Sequence, residues 1–586
     1  MGEILDAAEW LHNHVFMSDV VLALLSLFVF SSILSKIRHK GPMLWPVLGI
    51  VPTMLVHVHK VHEWLTDSFN GTTGTFAYQG MWLVDPSKIE YILKTNFKNF
   101  PKGKYYRERF QELLGDGIFN ADDESWKLQR RLATSEMHTG RFMDYSMKCI
   151  TDLVHHKLFK LVDNLVATGD CIDLQDVLLR FTFDNICMAA FGVDTGCLDI
   201  SLPEIPFATA FEHATELTLY RFITPPYVWK FMRYFGLGFE KRLSHSVGTV
   251  HEFADQTVAN RRMEYRKVGD LNEWSDLLSR LVERGEEDKK SPNFLRDFCT
   301  SFILAGRDTS SVGLAWFFWL VSQNPDVEER ILNEISDIFR HRSESDKGLY
   351  HIVFTVEELR KMVYLQAAIV GYLKQNRTAN RRFSHVNEDA VLKAVLPPVG
   401  VGSDGNELPR MKESQQARNT VALLLELIGP SAITDRTISE ALRLYPPVPI
   451  DFKETLNDDV FPDGTTVKKG SGVFYSIFSM ARMESIWGKD CTEFKLERWI
   501  KDGMYSGGKN STQQFKYVVF NGGPRLCPGK SFAYLQMKMI VASVMVRYEI
   551  KVVEGHEVVP KMTTTLYMRN GLMVKFKRRD GGLGNV

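Results

Sequence analysis

One motif near the carboxyl terminus constrains the fold of this chain more than any other feature. It runs from Phe520 to Gly529 and places Gly523, Arg525 and Cys527 at the fixed positions of the pattern F-x-x-G-x-R-x-C-x-G. With ordinary residue frequencies, a chain of this length matches the pattern by chance with a probability on the order of 10⁻⁴. The residues that follow have apolar positions at helical spacing. The motif therefore predicts a cysteine held at the start of a helix.

Cys527 is predicted to be a metal ligand, whereas a buried structural role is the reading favoured for the other cysteines. We expect Pro528 at the first position of the following helix, which places Cys527 at the helix N-terminus, where free N–H groups and the helix dipole favour a thiolate. A thiolate donates electron density to iron and favours O–O cleavage. Arg525 is suited to pair with a haem propionate, and Gly523 and Gly529 allow the backbone to approach the macrocycle.

Composition excludes several other classes of protein. Lys+Arg and Asp+Glu both number 71, so the basic excess that nucleic-acid binding requires is missing. The 7 cysteines are odd in number, widely spread and without a C-x-x-C pair, which argues against a disulfide framework and against structural zinc. The main part of the chain is therefore expected to face a reducing compartment, the cytosol.

The N-terminal region, residues 1–40, is predicted to be a membrane anchor. Residues 20–34 form an uncharged apolar run of marginal length for a spanning helix. Acidic residues precede this run, and Lys36, Arg38 and Lys40 follow it, so the positive-inside rule places the rest of the chain on the cytosolic side. The alternative is a cleaved signal peptide, but a basic leading region and a small-x-small cleavage site are missing. We expect a single-pass protein of the endoplasmic reticulum membrane.

Helical periodicity dominates residues 41–586, which we expect to form one domain that is mainly α with a small β region. Apolar positions recur at helical spacing in 145–168, 172–191, 247–266, 294–322, 325–340 and 529–547. Strand patterns are short and occur at 472–477, 545–553 and 563–576.

A second motif, residues 305–309, lies within the predicted helix 294–322. Gly306 inside a helix costs about 1 kcal/mol and needs a reason, and a groove for dioxygen is such a reason. Ala305 and Thr309 share a helix face, while Gly306 permits a local opening of the hydrogen-bond ladder of the π-bulge kind. Taken alone, a threonine on a helix is usually structural.

Two further pairs have helical spacing. Trp126 and Arg130 bring an indole N–H and a guanidinium together, and both groups can bind propionate oxygens, although an ordinary half-buried helix face has the same pattern. Glu440 and Arg443 form an E-x-x-R pair, which alone would be a surface ion pair worth only tenths of a kcal/mol.

Together, these residues resemble the cytochrome P-450 superfamily over about residues 18–369 and 438–578. The resemblance implies the P-450 fold and a haem b whose iron is bound by the Cys527 thiolate. It also implies that Asp308 and Thr309 deliver protons to dioxygen, and that Arg498 joins the E-x-x-R pair in a structural network, with Leu496 replacing the usual proline. The implied cofactor contacts are Phe520, Gly523, Arg525, Gly529, Trp126 and Arg130.

Longer segments, among them 99–126, 298–311 and 515–527, look like the plant long-chain fatty-acid ω-hydroxylases of the eighty-six family. This resemblance implies a monooxygenase that inserts one oxygen atom of O₂ at the terminal carbon of long-chain fatty acids or derivatives, with electrons from NADPH through a reductase. By the same analogy Pro447–Ile450 and Thr565–Met568 line the substrate tunnel. The alternative within haem-thiolate chemistry is the rearrangement of lipid peroxides without a reductase, a class that commonly lacks the acid and threonine pair.

The sequence departs from the family pattern in two places. Val370–Ile438 interrupts what is one helix in the family, and its polar, turn-rich composition suggests translated intron sequence or an incorrect gene model. An inactive product of a disrupted gene is therefore a further alternative. The E-x-x-R helix would lose its N-terminal half, and Thr434 or Asp435 is available to cap a new first turn. Residues 80–85 are shorter than in the family and predict a shortened hairpin.

Overall fold

The structure is a computed structural model that describes residues 17–38, 45, 53, 56–57, 60–70, 72–77, 80–269, 275–284, 293–340, 354, 358, 433–501, 504–505, 515–561 and 563–579. These residues are mainly helical with small sheets, which confirms the predicted fold class. The helices predicted from apolar periodicity are present, because each has an apolar face to bury.

The helices of the first half surround a central long helix. They are α1 (Met17–Arg38), α2 (Val61–Phe69), α3 (Pro86–Glu90), α4 (Gly103–Leu114), α5 (Asp123–Met137), α6 (Gly140–Leu153), α7 (Phe159–Thr168), α8 (Leu174–Phe191), α9 (Pro206–Ile223), α10 (Pro226–Phe235) and α11 (Gly238–Val268). A π-helical turn, Val154–Leu158, joins α6 to α7, and another, Tyr91–Thr95, follows α3. Asp173 accepts a hydrogen bond from the Gln175 N–H and so caps α8.

The second half supplies the central helix and the elements that pack on it. They are α12 (Leu277–Glu283), α13 (Phe294–Ile303), α14 (Thr309–Ser322), α15 (Pro325–Arg340), α16 (Ile433–Leu444), α17 (Ile477–Met480), α18 (Glu484–Trp487) and α19 (Lys530–Arg547). A π-helical turn, Leu304–Asp308, makes α13 and α14 one continuous helix, as Gly306 predicted. The strand patterns at 472–477, 545–553 and 563–576 correspond to shorter strands.

The strands form small sheets at the edges of the helical body. One sheet has the order β1 (Thr75–Ala77), β2 (Met81–Leu83), β7 (Gly472–Ser476) and β4 (Ile450–Glu454), with β2 and β7 parallel. A second has the order β10 (Tyr548–Val552), β11 (Met573–Arg578) and β3 (Ile172–Asp173). Two-stranded pairs join β5 (Asp459–Val460) to β6 (Thr466–Val467) and β8 (Ile500–Lys501) to β9 (Met504–Tyr505). The antiparallel β1 and β2 form the hairpin predicted near residues 80–85.

Three clusters of buried apolar side chains hold these elements together. The first lies between α14 and α19 and includes Trp316, Leu442 and Ile540. The second joins α4, α8, α9, α11 and α13, and the third lies beneath β1, β2 and β7. The central helix contributes to the first two clusters, so its position is fixed from both sides.

The predicted anchor segment forms α1, and most of the apolar side chains described on it are exposed. Leu22, Leu27 and Phe30 are among them. Within the described part of the chain, no helix combines the length and the apolarity that crossing a membrane requires. The anchor therefore stays a prediction.

Most of the atypical segment Val370–Ile438 lies outside the described residues, but its last residues belong to α16. The carboxylate of Glu334, on α15, accepts hydrogen bonds from the backbone N–H of Thr434, at 2.9 Å, and from the Thr434 hydroxyl. Asp435 forms a buried ion pair with Lys538 of α19 at 3.2 Å. The first turn of α16 is thus capped by a neighbouring helix, whereas the sequence suggested a cap from Thr434 or Asp435.

Candidate active site

Cys527 lies in a tight loop just before α19. Its N–H donates to the carbonyl of Phe520 at 2.8 Å, which closes the loop. The Phe520 ring packs 5.5 Å from the Tyr534 ring and 5.4 Å from the Lys530 amine. The loop is therefore held at both ends, by a backbone hydrogen bond and by packing on α19.

The structure corrects the expected relation of Cys527 to the helix. Helix α19 begins at Lys530 with Gly529 as its N-cap, so Pro528 lies outside the helix and Cys527 is one residue further out. Burial raises the pKa of the Cys527 thiol above its usual value, while the Gly529 N–H and the charges of Arg130 and Lys530 oppose that rise. A bound cation, more than the helix dipole, would therefore have to hold the thiolate.

The glycines of the motif have different local roles. Gly523 has a φ of +58°, and a Cβ there would lie 1.9 Å from the carbonyl oxygen of Leu93, in the π-helical turn after α3. Gly529 has room for a Cβ, with Met137 3.5 Å and the Cys527 sulfur 3.9 Å away. Gly523 is thus required by the approach of two protein segments, a requirement that the sequence did not reveal.

Arg525, Trp126 and Arg130 come together around the loop. The Arg525 guanidinium lies 4.5 Å from the Trp126 ring centre, and its Nη2 donates to the carboxylate of Asp122 at 2.7 Å. Arg130 donates to the carbonyl of Leu526, the residue before Cys527. The two arginines and the indole predicted to contact one cofactor therefore all lie at the cysteine loop, and the i and i+4 spacing places Trp126 and Arg130 on one face of α5.

Lys453, on β4, is a residue of this region that the sequence did not single out. It is fully buried, and its Nζ has no hydrogen-bond partner among the described residues. The Nε of Arg525 is also buried without a partner in that part of the chain. Burial lowers the pKa of Lys453 well below its usual value, and the charges of Lys102 and Arg525 add to this effect.

The two nitrogen donors without acceptors show whether the residues present suit a haem. A buried nitrogen donor without an acceptor is costly, and one anionic group that reached both the Lys453 Nζ and the Arg525 Nε would satisfy both. Haem carries propionates of that charge, so the residues present fit its acidic side. Lys453 is distinguished by its burial, and burial cannot be recognised from the sequence alone.

The central helix opens toward a space at its π-helical turn. Ala305, Gly306 and Thr309 are partly exposed on a helix that is otherwise largely buried. A Cβ on Gly306 would lie 2.6 Å from the side chain of Ile186, so this glycine is also needed for the packing of α8 against the turn. Gly306 therefore has a second cause besides the predicted dioxygen groove, namely the close approach of two helices.

Asp308 and Thr309 face different surroundings. Asp308 is fully buried, and Arg307 donates to its carboxylate at 2.8 Å. Burial raises the pKa of Asp308 above its usual range, while the charge of Arg307 and the hydroxyl of Tyr567 oppose that rise. The Thr309 hydroxyl donates to the carbonyl of Ala305 at 2.7 Å, inside the turn. One side chain is thus enclosed in the interior, and the other lies at the open face.

The E-x-x-R pair forms a buried network. Arg443 donates through Nε and Nη2 to the two carboxylate oxygens of Glu440, both at 2.8 Å. Arg498 donates to the same carboxylate at 3.2 Å, and so do the Trp499 indole at 3.0 Å and the Lys495 N–H at 3.1 Å. Glu440 is fully buried, and its carboxylate joins α16 to the segment that precedes the cysteine loop.

The two segments expected to line a substrate tunnel are hydrogen-bonded to each other. The Leu566 N–H donates to the carbonyl of Pro447 at 2.9 Å, and the Trp316 indole donates to the carbonyl of Leu566 at 2.7 Å. Val448 and Ile450 are partly exposed, whereas Leu566 is fully buried. The first segment therefore has side chains available to a ligand, and the second mainly supports the central helix.

Comparison with solved structures defines the class of this fold. The haem domain of a mutant cytochrome P-450 superposes with a TM-score of 0.66 over 92% of this chain and 98% of that one, at 16% identity. The family model described as cytochrome P-450 matches residues 40–386 and 426–577. This chain therefore belongs to the cytochrome P-450 family.

Curated relatives agree with this assignment. Cytochrome P-450 86B1 of Arabidopsis thaliana is 43% identical over 580 residues, which cover 96% of this chain and 90% of that protein. Cytochrome P-450 94B1 of Arabidopsis thaliana is 33% identical over 92% of each chain. Cytochrome P-450 94A1 of Vicia sativa is 34% identical over 92% of this chain and 91% of that one. The first similarity confirms the resemblance to the eighty-six family.

Family membership fixes the cofactor and the general reaction. The cofactor is a haem iron with a thiolate ligand, reduced by electrons from a reductase, and the reaction class is monooxygenation.

Proposed function

We propose that this protein hydroxylates the terminal carbon of long-chain fatty acids or their derivatives. The observation that carries the reaction type is the pair Asp308 and Thr309, a buried acid adjacent in sequence to a hydroxyl on an open helix face. The resemblance to the eighty-six family, supported by 43% identity with cytochrome P-450 86B1, carries the substrate class. The pair also favours monooxygenation over the rearrangement of lipid peroxides, which needs no proton delivery.

We assign a separate role to each residue of the site. Cys527 would hold the iron, and Arg525, Arg130 and Trp126 would bind the propionates with charge-assisted and neutral hydrogen bonds. When bound, the haem supplies the activation of dioxygen. Asp308 would hold a proton in the interior, and Thr309 would position it at the open face.

The ligand assignment is tested by the absorption spectrum of the reduced, CO-bound protein. We expect the red-shifted Soret band of a thiolate-ligated haem in the wild type and its loss in Cys527→Ser. Cys171→Ser is a suitable control because Cys171 is exposed and distant in sequence from the motif. If Cys527→Ser keeps the band, Cys527 is not the ligand.

The reaction is tested with purified protein, reductase, NADPH and long-chain fatty acids. We expect NADPH-dependent formation of the terminal alcohol, identified by mass spectrometry. Conversion of a fatty-acid hydroperoxide in the absence of NADPH and reductase, without hydroxylation, would favour the rearranging alternative. A protein that binds no haem in either assay would favour the inactive product of a disrupted gene.

We further propose that α1 attaches the protein to the endoplasmic reticulum membrane, with the catalytic domain facing the cytosol. The support is the exposed apolar surface of α1 and the basic residues Lys36, Arg38 and Lys40, which follow its apolar run. Removal of residues 1–40 should release the protein from membranes. Alkaline extraction of the full chain separates a spanning segment, which resists it, from a peripheral one.

A further inference from the structure

Arg109, on α4, is a buried cation without an acidic partner in the described part of the chain. Only 2% of the surface of Arg109 is exposed. The Nε donates to the carbonyl of Arg221 at 3.0 Å, and Nη1 donates to the carbonyl of Tyr105 at 2.8 Å. Among the described residues, Nη2 has no acceptor. Burial lowers the pKa of Arg109, and the charge of Arg221 adds to this while Tyr105 and Glu108 oppose it.

The neighbouring charges do not neutralise Arg109. Arg221 is bound by Glu240, at 2.6 and 2.7 Å, and by Glu112, which also pairs with Arg233. Three guanidinium groups therefore face two carboxylates, and one positive charge remains. We name these residues the arginine cluster; they are Arg109, Arg221, Arg233, Glu112 and Glu240.

Glu108 does not complete the cluster, although it is adjacent to Arg109 in sequence. Its carboxylate pairs with the Lys230 amine on α10, at the surface. A buried guanidinium without a counter-charge is costly, since desolvation is not repaid by a partner. The cluster is therefore suited to receive one monovalent anionic group.

Aromatic side chains surround the cluster. The Tyr105 ring lies 3.4 Å and the Phe222 ring 5.3 Å from the Arg109 guanidinium carbon. Phe452 of β4 lies 5.3 Å from Tyr105, and Phe110 lies 5.7 Å from Phe222. These rings form an apolar wall between α4, the end of α9 and β4. An anionic group that fits here would be joined to an apolar chain, whereas a small inorganic anion would leave the wall unused.

We propose that Arg109 binds the carboxylate of a long-chain fatty-acid substrate, with Nη2 as the donor and the aromatic wall in contact with the first carbons of the chain. This assignment rests on the proposed function. The distal end of the chain would then extend beyond Phe452 toward Ile450, which precedes it on β4 and is partly exposed. The carboxylate is held at one end, so the opposite end is the part left to react.

The test measures binding to the holoenzyme through the substrate-induced shift of the haem spectrum, and it does not depend on turnover. A saturated fatty acid and its methyl ester, of equal chain length, are titrated into the wild type, Arg109→Gln and Arg109→Lys. We expect the wild type to bind the acid more tightly than the ester. In Arg109→Gln the Kd for the acid should rise about tenfold to a hundredfold, while that for the ester stays unchanged. Arg109→Lys should recover part of the loss.

A matched control is Arg107→Gln. Arg107 lies on the same helix but is half exposed, and it pairs with Asp116 at 3.4 Å. Its loss should change neither Kd. Thermal unfolding and the CO-bound spectrum of each variant show whether the fold and the haem site persist.

Two results would overturn the assignment. Equal weakening of acid and ester in Arg109→Gln would show that Arg109 only supports the fold, and an unchanged Kd for the acid would show that it does not bind the carboxylate. A wild type that prefers the acid to the ester but forms no terminal alcohol would support this site and contradict the proposed reaction, so the two failures are distinguishable.

Discussion

Asp308 and Thr309 are adjacent in sequence, yet their side chains lie in different environments. The carboxylate is enclosed with Arg307 and Tyr567, and the hydroxyl lies at the open face of the π-helical turn. A proton that passes between them must therefore cross from the interior of the protein to the open face. The resemblance indicated both residues, but only the structure shows the enclosure of the acid, since Tyr567 is distant in sequence.

We expect Thr309→Ala to uncouple turnover. Without the hydroxyl, NADPH is still consumed, while hydroxylated product falls about tenfold or more and hydrogen peroxide is released. Thr309→Ser keeps the hydroxyl and serves as the control. The ratio of product to NADPH consumed is the measurement, and an unchanged ratio in Thr309→Ala would remove this residue from proton delivery.

At the scale of elements, the buried network on α16 depends on partners from a distant segment. The sequence identified Glu440, Arg443 and Arg498 from the family pattern. It gave no sign that Trp499 and the Lys495 N–H also bind the carboxylate, because these contacts depend on the 3₁₀ turn Leu496–Trp499.

Arg498→Ala should strongly destabilise the protein. The Arg498 side chain is 8% exposed, and its removal leaves the buried Glu440 carboxylate with less compensation, at a cost of about 3–5 kcal/mol in the free energy of unfolding. The control is Arg330→Ala, which breaks an exposed pair with Glu497 at 3.6 Å and should cost less than about 1 kcal/mol. Denaturant unfolding of both variants measures the difference, and equal costs would contradict the structural role of Arg498.

The capping carboxylate of Glu334 predicts a pH dependence. Burial raises the pKa of Glu334 from 4.5 to about 7, while the hydrogen bonds from Thr434 oppose the rise. Because the pKa is higher in the folded state, the contribution of this group to stability is full below its unfolded pKa and is lost as pH rises through about 7. Glu334→Gln keeps an acceptor but does not titrate.

The thermal midpoint of the wild type should therefore fall more than that of Glu334→Gln between about pH 5 and about pH 8. Circular dichroism at the two pH values makes the comparison. Parallel changes in the two proteins would show that Glu334 does not titrate in this range.

Prediction from sequence succeeded where the signal was local. The period of apolar residues located α8, α14 and α19, and Gly306 indicated the π-helical turn. Prediction failed where the cause was a long-range contact. The start of α16 depends on Glu334, which lies on another helix, and the position of Pro528 depends on how the cysteine loop closes on Phe520. Short strands such as β1 and β2 were indicated only by a departure from the family pattern, because three residues are too few for a periodic signal.

At the scale of the whole molecule, the family model and the described structure together show which part of the atypical segment departs from the family. The family model leaves residues 387–425 unmatched, and helix α16 is present from Ile433 onward. The unmatched part therefore ends before the first described residue of α16. This makes a deletion possible that leaves the cap intact.

Deletion of residues 387–425 should leave the haem-loaded fraction equal to or above that of the full chain, since it retains Thr434 and its contact with Glu334. Deletion of Val370–Ile438, which joins Ile369 to Ser439, removes that contact and restores the continuous helix of the family pattern. The ratio of Soret to protein absorbance compares the two. A lower haem content after the shorter deletion would show that the unmatched residues contribute to the fold.

The lateral attachment of α16 to α15 has a consequence for the design of rearranged proteins. The carboxylate of Glu334 holds the first turn of α16 in place through Thr434. The chain that precedes Ile433 is therefore not needed to fix the position of Glu440. New chain ends opened within 387–425 would leave the buried backbone of α16 bonded as before, which is the condition for a tolerated circular permutation. A permuted protein of this kind would keep the contact between Glu334 and Thr434 and, through α16, the Glu440 network that precedes the cysteine loop.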